Sequence, residues 1–499
     1  FGELNSAVFG NSSTGTLIIE PQLLYQQSLG GVAATMLVGG SWQSSRTEGM
    51  QLRAINYSNE SLMKSMSAAG GFEAVQNRYS EYRYASIFGR LQVEGWKKYL
   101  LTASIRRDGS SRFGPQRQWG HFGAVGAGWI FSEEKWLADR LPWLSYGKLR
   151  GSWGTVGNDQ IADYGYLPAY NTSTVYFGMA TLTPARIANP VYSWEVTAKL
   201  EAALELGFLQ DRLLFNAAWY RHRSGNQLVQ HPLPSQTGFS SYQANLPALV
   251  QNRGFELELR ADLFRNKAFD WRITANLTLP QNKLIRFPGL ENTSYASRLV
   301  LGEDISIQKG YRFLGVHPAN GMALFEDLDK NGIYNTQDYV VIGNNSPQAY
   351  GGLGHTFQYK NFSLDLFFQA VKQQGLTTTL SPGAGMYNRL DVVMKRWTAP
   401  GEQTSIPRAA AASTSAAYVA NALLSSSSAA FTDASYLRFK NLAFSYQLPQ
   451  IKNLAQVRLY VQGQNLATLT SGYRLDPELA LGSGIPPLQS WLGGIQITF

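Results

Sequence analysis

Hydrophobic and polar residues alternate along most of this chain. Between Glu195 and Phe208, the residues Glu195, Thr197, Lys199, Glu201, Ala203 and Glu205 fall on one face, with Val196, Ala198, Leu200, Ala202, Leu204, Leu206 and Phe208 on the other. A period of two marks a strand, and charge opposite hydrocarbon implies water on one side and an apolar medium on the other. Leu213, Phe215, Ala217 and Trp219 repeat the pattern opposite Arg212, Asn216 and Tyr220. Trp271, Ile273, Ala275, Leu277 and Leu279 alternate with Arg272, Thr274, Asn276 and Thr278, and the last strand puts Trp491, Ile495, Ile497 and Phe499 on one face. The pattern predicts about fifteen strands, near 16–28, 31–43, 80–94, 97–108, 119–131, 146–156, 194–208, 211–224, 252–264, 269–281, 350–360, 361–371, 434–447, 456–466 and 490–499. Most reach the roughly 9–11 residues that cross a bilayer at ~45° tilt, against ~5–6 for a usual globular strand.

A soluble β-sandwich also alternates, but it has no reason to sort its connections by parity. Counted back from Phe499, the odd connections are long: 467–489, 372–433, 282–349, 225–251, 157–193, 109–118 and 44–79. The even ones are mostly tight, as at 448–455, Lys360-Asn361, 265–268, 209–210, 95–96 and Leu29-Gly30, with 132–145 the longest. Long extracellular loops alternating with short periplasmic turns are the pattern of an outer-membrane barrel. The expected fold is therefore an all-β, transmembrane antiparallel β-barrel, with 1–499 forming the carboxyl-terminal part of a single barrel. Single-chain bacterial barrels have even strand counts, so fifteen strands imply that further barrel strands precede this stretch.

Composition agrees. Aromatic residues make up 13% and glycine contributes 48 of 499 residues, while charged residues reach only 15%, which suits a strand-and-turn protein with aromatic girdles. With a mean hydropathy of -0.20, the chain lacks the ~18-residue apolar run of a spanning helix. The absence of cysteine excludes disulfides and thiolate metal sites. The net charge of +9 is scattered rather than clustered. Lipopolysaccharide phosphates are thus a better counter-charge than nucleic acid. The chain starts at Phe1-Gly2 without a signal peptide, so a secreted precursor is expected to extend upstream.

One local motif carries chemistry. Asp327 to Asp338 (DLDKNGIYNTQD) has the pattern of a twelve-residue calcium loop. The side chains of Asp327, Asp329 and Asn331, the Ile333 carbonyl and Asp338 would supply oxygens, with Gly332 at the sharp turn. Asp338 stands where the loop usually has Glu, and no helices flank it. The alternative is an acidic Asx-turn loop without metal. The expected ion is one structural Ca2+ (or Mg2+), stiffening a long extracellular loop. No catalytic constellation is present: the five histidines lack ligand spacing, and Gly123–Gly128 sits in an alternating strand rather than a phosphate loop. An enzyme is not expected. Aromatics near strand ends, such as Trp96, Tyr99, Trp129 and Trp143, read as interfacial belts. Tyr387, Trp397 and Tyr473 fall in loops, as candidate contacts for a substrate or partner. The Ala/Ser-rich stretch 408–430 carries helix-like Tyr418, Leu423 and Leu424, which most simply cover neighbouring loops.

Several segments resemble one family. YASIFGRL (84–91), YLLTASIRRDGSSRFG (99–114), FGAVGAGW (122–129) with Ser132-Glu133-Glu134, and LRGSWG (149–154) with Gly157-Asn158 are similar to barrel strands of the SusC/RagA-type TonB-linked outer-membrane nutrient importers of Bacteroidetes. So are the 327–338 loop with Ile342-Gly343-Asn344 and Pro347, the Arg396-Trp397-Thr398 and Ile406-Pro407-Arg408 segments, ASYLRFKNL (434–442) and YVQGQNL (460–466). The likeness runs in order from Tyr84 to Phe499; residues 1–83 and 408–430 match poorly. It implies a 22-stranded barrel, of which about fifteen strands are here, with an amino-terminal plug and TonB box outside this chain. It also implies energy from TonB-ExbB-ExbD, a SusD-like surface lipoprotein as lid, a dimer of importer–lid pairs, and import of oligosaccharides or peptides. A siderophore or cobalamin receptor without a lid is the alternative on the same fold. A surface carbohydrate-binding β-protein is the alternative of another class.

Overall fold

A computed structural model describes residues 5–177, 179–266, 268–377, 391–410, 412–449, 456–471, 476–479 and 484–498. Its main sheet contains β1 (Ala7–Ile19), β2 (Gln22–Leu29), β3 (Val32–Ile55), β4 (Gly71–Gly95), β5 (Tyr99–Ser110), β6 (Trp119–Ile130), β7 (Leu144–Asn158) and β8 (Glu195–Phe208). It continues with β9 (Leu213–Pro232), β10 (Ser241–Arg265), β11 (Phe269–Arg286), β12 (Ala349–Tyr359), β13 (Phe362–Lys372), β14 (Tyr436–Gln447), β15 (Gln456–Thr470) and β16 (Ser490–Thr498). Chain neighbours are sheet neighbours with one exception: β1 and β2 lie end to end along β3. Pro21 separates them, having no N–H to donate to the ladder, although its carbonyl still accepts from the Gly40 N–H. The sheet therefore has fifteen positions across, the number the alternation predicts. The chain forms two compact units, residues 1–129, 151–200 and 223–249 in one and 130–150, 201–222 and 250–499 in the other.

Register keeps each face chemically uniform. In the second unit, Phe269, Tyr359, Phe362, Tyr446, Leu459 and Ile495 form one row across β11 to β16. Two residues further along, Trp271, Phe357, Leu364, Phe444 and Val461 form the next apolar row. The row after that, Arg272, Thr356, Asp365, Ala443 and Gln462, lies on the opposite face. In the first unit Met36, Leu91, Ala103 and Val125 align, and Thr35, Gln92, Thr102 and Gly126 align beside them. Side chains of directly paired residues share a face. Each lane thus contributes hydrocarbon to one surface and hydrogen-bonding groups to the other.

Several strands run well past the alternating stretches. β3 and β4 are 24 and 25 residues long and pair from Val32↔Gly95 to Ile55↔Gly71, so 44–55 and 71–79 are strand rather than loop. β9 and β10 likewise absorb most of 225–251, leaving 233–240 as the connection. The reason is visible in Ser44, Ser45, Arg46, Thr47 and Glu48, where polar residues occupy both faces. A ribbon with water on both sides is under no pressure to alternate. The 157–193 connection contains a hairpin, Ala169–Tyr176 with Met179–Arg186.

The described residues of the two longest connections pack into small structures of their own. In the second unit, ladders Ile307–Gly310 with Val340–Asn344 and Phe313–Val316 with Ala323–Phe325 fold the 287–348 segment. The helix α1 (Ala416–Leu423) comes from the 373–435 segment, with the Ser415 hydroxyl accepting from the Tyr418 N–H as its cap. Ala420 and Leu424 close over Tyr311, Ala323 and Phe325 in one buried cluster, and Tyr311 trades backbone bonds with Ser426 and Ser428. The Ala/Ser-rich stretch thus covers a neighbouring loop, as its helix-like Tyr418, Leu423 and Leu424 suggest, with Leu424 buried in the cluster and Leu423 packed against it.

Candidate functional site

The acidic loop is closed by bonds to its own backbone. Asp327, Asp329 and Asp338 bring carboxylate oxygens within 4.8 Å of one another. Gly332 takes the left-handed conformation, φ +77°, which turns the chain back so that its N–H and that of Asn331 both donate to Asp327, at 2.8 and 3.3 Å. Asn331 N–H also donates to Asp329 at 3.1 Å, and Ile333 N–H to the Asn331 side-chain oxygen at 2.7 Å. Asp338 is fully buried. It closes the loop by accepting from Leu328 N–H at 2.8 Å and Asn335 N–H at 2.9 Å. The Gly332 N–H is the main reason the Asp327 carboxyl is held below its ordinary pKa, since a hydrogen bond to the charged form favours that form. All five candidate ligands offer oxygen, which suits a hard cation, and each carboxylate oxygen has lone pairs beyond the one its N–H uses.

A second constellation lies on the polar face of β9 to β12, where a cavity of about 730 Å³ opens. Tyr220 and Tyr350 supply rings, Asn252, Gln281, Asn282, Asn344 and Gln348 supply amides, and Lys283, Glu303 and Asp304 bring charges of both signs. The lining is internally braced. Asn282 donates to the Asn252 carbonyl oxygen at 2.6 Å and accepts from Ile305 N–H at 3.1 Å, while Asp304 accepts from Ser306 N–H at 2.7 Å and the Ser346 hydroxyl at 3.3 Å. Amides and phenols around a braced cavity recognise ligands that present hydroxyls, amides and apolar faces. Sequence reasoning missed this cavity, because its lining is spread from Tyr220 to Tyr350 and no short motif joins them.

The wall also contains an ionic clamp. Arg438 of β14 is 2% exposed and donates to both oxygens of Asp476, at 2.6 and 2.7 Å. Glu478 joins it at 3.3 Å and receives Lys440 Nζ at 2.6 Å. The carboxylates come from the connection after β15, which this clamp fastens to the polar face. Thirty-eight residues separate each partner pair, so spacing gives no warning of it.

Trp397 is half-buried. Its indole N–H donates to the Pro318 carbonyl at 3.1 Å, and its ring covers Gly321, where a Cβ would approach it to 2.3 Å. It staples one loop to another. Tyr387 and Tyr473 lie outside the described residues. The strand histidine His355 sits in the apolar face beside Trp271, whose indole N–H donates to His355 Nδ1 at 3.3 Å.

The family described as TonB dependent receptor-like, beta-barrel matches residues 4–466. "TonB-dependent receptor P3" of Formosa agariphila is 29% identical over 510 residues, covering 95% of this chain and 50% of the relative. "TonB-dependent receptor SusC" of Bacteroides thetaiotaomicron is 29% identical over 308 residues, covering 57% of this chain and 31% of the relative. Among solved structures, a chain of the RagAB peptide transporter superposes with a TM-score of 0.84 at 23% identity, covering 99% of this chain and 56% of that one. The chain spans about half the length of the curated relatives it matches first.

Proposed function

This chain belongs to the TonB-dependent receptor-like β-barrel family and is outer-membrane barrel wall, and from that premise we propose that its polar face lines a TonB-energised import path for oligosaccharides or peptides. The braced amide-and-tyrosine cavity carries the reading. Amides and rings offer a polymer many modest hydrogen bonds and ring contacts, and Lys283, Glu303 and Asp304 at the same cavity add charge of both signs that a peptide's ends and side chains can also meet. A SusD-like lipoprotein acts as lid over the long loops, and the working assembly is a dimer of importer–lid pairs. The relative named SusC and the solved RagAB peptide transporter are the precedents on this fold.

The test uses the full-length receptor in its own outer membrane. Replacing Tyr350 and Asn282 together with alanine is expected to lower uptake of an oligosaccharide or peptide library about tenfold, equivalent to ~1.4 kcal/mol, without changing receptor abundance. Unchanged uptake overturns the cavity's role. Affinity capture in mild detergent is expected to bring down a lipoprotein lid; a receptor that always purifies alone is a lidless importer of the siderophore or cobalamin kind.

We also propose that Asp327, Asp329, Asn331, the Ile333 carbonyl and Asp338 hold one Ca2+ (or Mg2+). The ion would neutralise converging carboxylates and stiffen the 287–348 connection, which sets where the neighbouring lid contacts stand.

A further inference from the structure

The apolar face of the second unit is not uniformly covered. Between β11 and β14 it opens into a groove of about 610 Å³, within the ~300–1,000 Å³ range of small-molecule sites. Gly351 and Ala370 form its floor. They pair with each other and with Leu277 and Leu437 in a single row across four strands. Leu353 and Phe368, the next apolar pair along β12 and β13, close one end. Small residues in the middle of an otherwise bulky hydrocarbon surface leave a channel the width of a side chain.

The other end of the groove carries a charge. Lys372 lines it, is exposed and pairs with Ala349 at the last step of the ladder. Its charged neighbour among the described residues is Asp433, whose carboxyl it helps to hold below its ordinary pKa after the hydrogen bonds from Ser435 and Ser471. The nearby Asp433 carboxylate already accepts from Ser435 N–H and the Ser471 hydroxyl. The height of Lys372 follows from the strand. Tyr359, Phe362 and Tyr446 mark one interface, and ten residues at ~3.4 Å and ~45° tilt place the other about 24 Å away. That matches the ~25 Å apolar band of such barrels, so Lys372 stands at the headgroup level of the leaflet nearer the long loops.

We propose that this groove is a lipid site, taking one acyl chain of a phosphate-bearing lipid of the outer leaflet, with its phosphate on Lys372. The chain fills the channel over Gly351 and Ala370, and the ammonium, on a stem that reaches the interface, supplies the counter-charge. The inference rests on the long-loop end being the outer side and is independent of what the receptor imports.

The experiment places the full-length receptor in phosphatidylcholine nanodiscs doped with bisphosphorylated lipid A and counts retained lipid by native mass spectrometry. One lipid A per chain is expected. Ala370→Trp, which fills the channel, and Lys372→Glu each lower retention about tenfold, whereas Lys372→Arg keeps it. Far-ultraviolet circular dichroism checks that each variant retains its strand signal, and substrate uptake by Ala370→Trp stays normal. Full retention by Ala370→Trp overturns the groove, and equal retention of dephosphorylated lipid A overturns the role of Lys372. Loss of a receptor dimer with no loss of lipid assigns the face to a second copy and overturns the proposal.

Discussion

At the scale of single residues, the acidic loop and the ionic clamp make opposite lessons. The loop was legible because its donors are consecutive: Asp327, Asp329, Asn331 and Asp338 sit within twelve residues, and Gly332 supplies the turn. Its response to pH follows from Asp327. A carboxyl whose folded pKa is depressed contributes stability above its unfolded value of ~3.9 and loses it as pH falls through the lower folded value. Loop order, read from hydrogen exchange at Gly332, is therefore expected to persist at pH 4 and to fail below it. Asp327→Asn with Asp329→Asn is expected to abolish calcium-dependent protection of the same amide; protection unchanged by calcium in the unsubstituted chain removes the metal. The clamp at Arg438 was illegible, since Asp476 and Glu478 arrive from a distant connection. Removing Asp476 leaves the buried Arg438 with only its longer contact to Glu478, a cost below the about 3–5 kcal/mol of a wholly uncompensated buried charge. Asp476→Ala is expected to expose 476–479 to proteolysis, and no change there means the clamp is ornamental.

At the scale of elements, alternation revealed strands where lipid and water lie on opposite sides and stopped where water lies on both. The β3 and β4 segments beyond Ser44 and before Tyr79 stay paired apart from one bulge at Gln51/Leu52, but Arg46 and Glu48 bond to each other along one strand and Arg46 covers the Tyr79 ring at 5.1 Å. Cross-strand polar contacts hold that ribbon together without a hydrophobic face. The two faces of β13 give a direct comparison. Leu366, opposite His355 and Leu442, lies near the middle of the apolar band. Leu366→Arg is expected to cost about 2–4 kcal/mol in a bilayer unfolding titration. Asp365→Asn, one residue away on the polar face, is expected to cost far less than that. Equal costs mean that the apolar face does not meet lipid.

At the scale of the whole molecule, fifteen sheet positions were present in the sequence, because strand number is set locally. The sorting of connections by length was only partly so, since 225–251 shrinks to 233–240 while 131–143 on the short side stays longer. The cavity of Tyr220 and Tyr350, the groove below Lys372 and the docking of α1 on Tyr311 were not, because each depends on which strand lies beside which. The residues that resemble SusC/RagA importers supplied the family, and the family match supports it over 4–466. Sedimentation of the native protein with detergent-soluble outer membrane, and its absence from the aqueous fraction, is the expected behaviour.

The long pairing of β3 with β4, interrupted by a single bulge at Gln51/Leu52, has a mechanical meaning. Twenty-four paired residues at ~3.4 Å and ~45° rise about 57 Å along the membrane normal, and the apolar band accounts for about 25 Å of that. The remaining 30 Å or so is a stiff mast standing clear of the lipid, with 56–70 at its tip. Anything fastened there, whether an epitope tag or a neighbouring protein, is presented at the height of the cell's surface polysaccharide rather than at the headgroups. A bulky antibody would reach it while small lipid-soluble reagents would not.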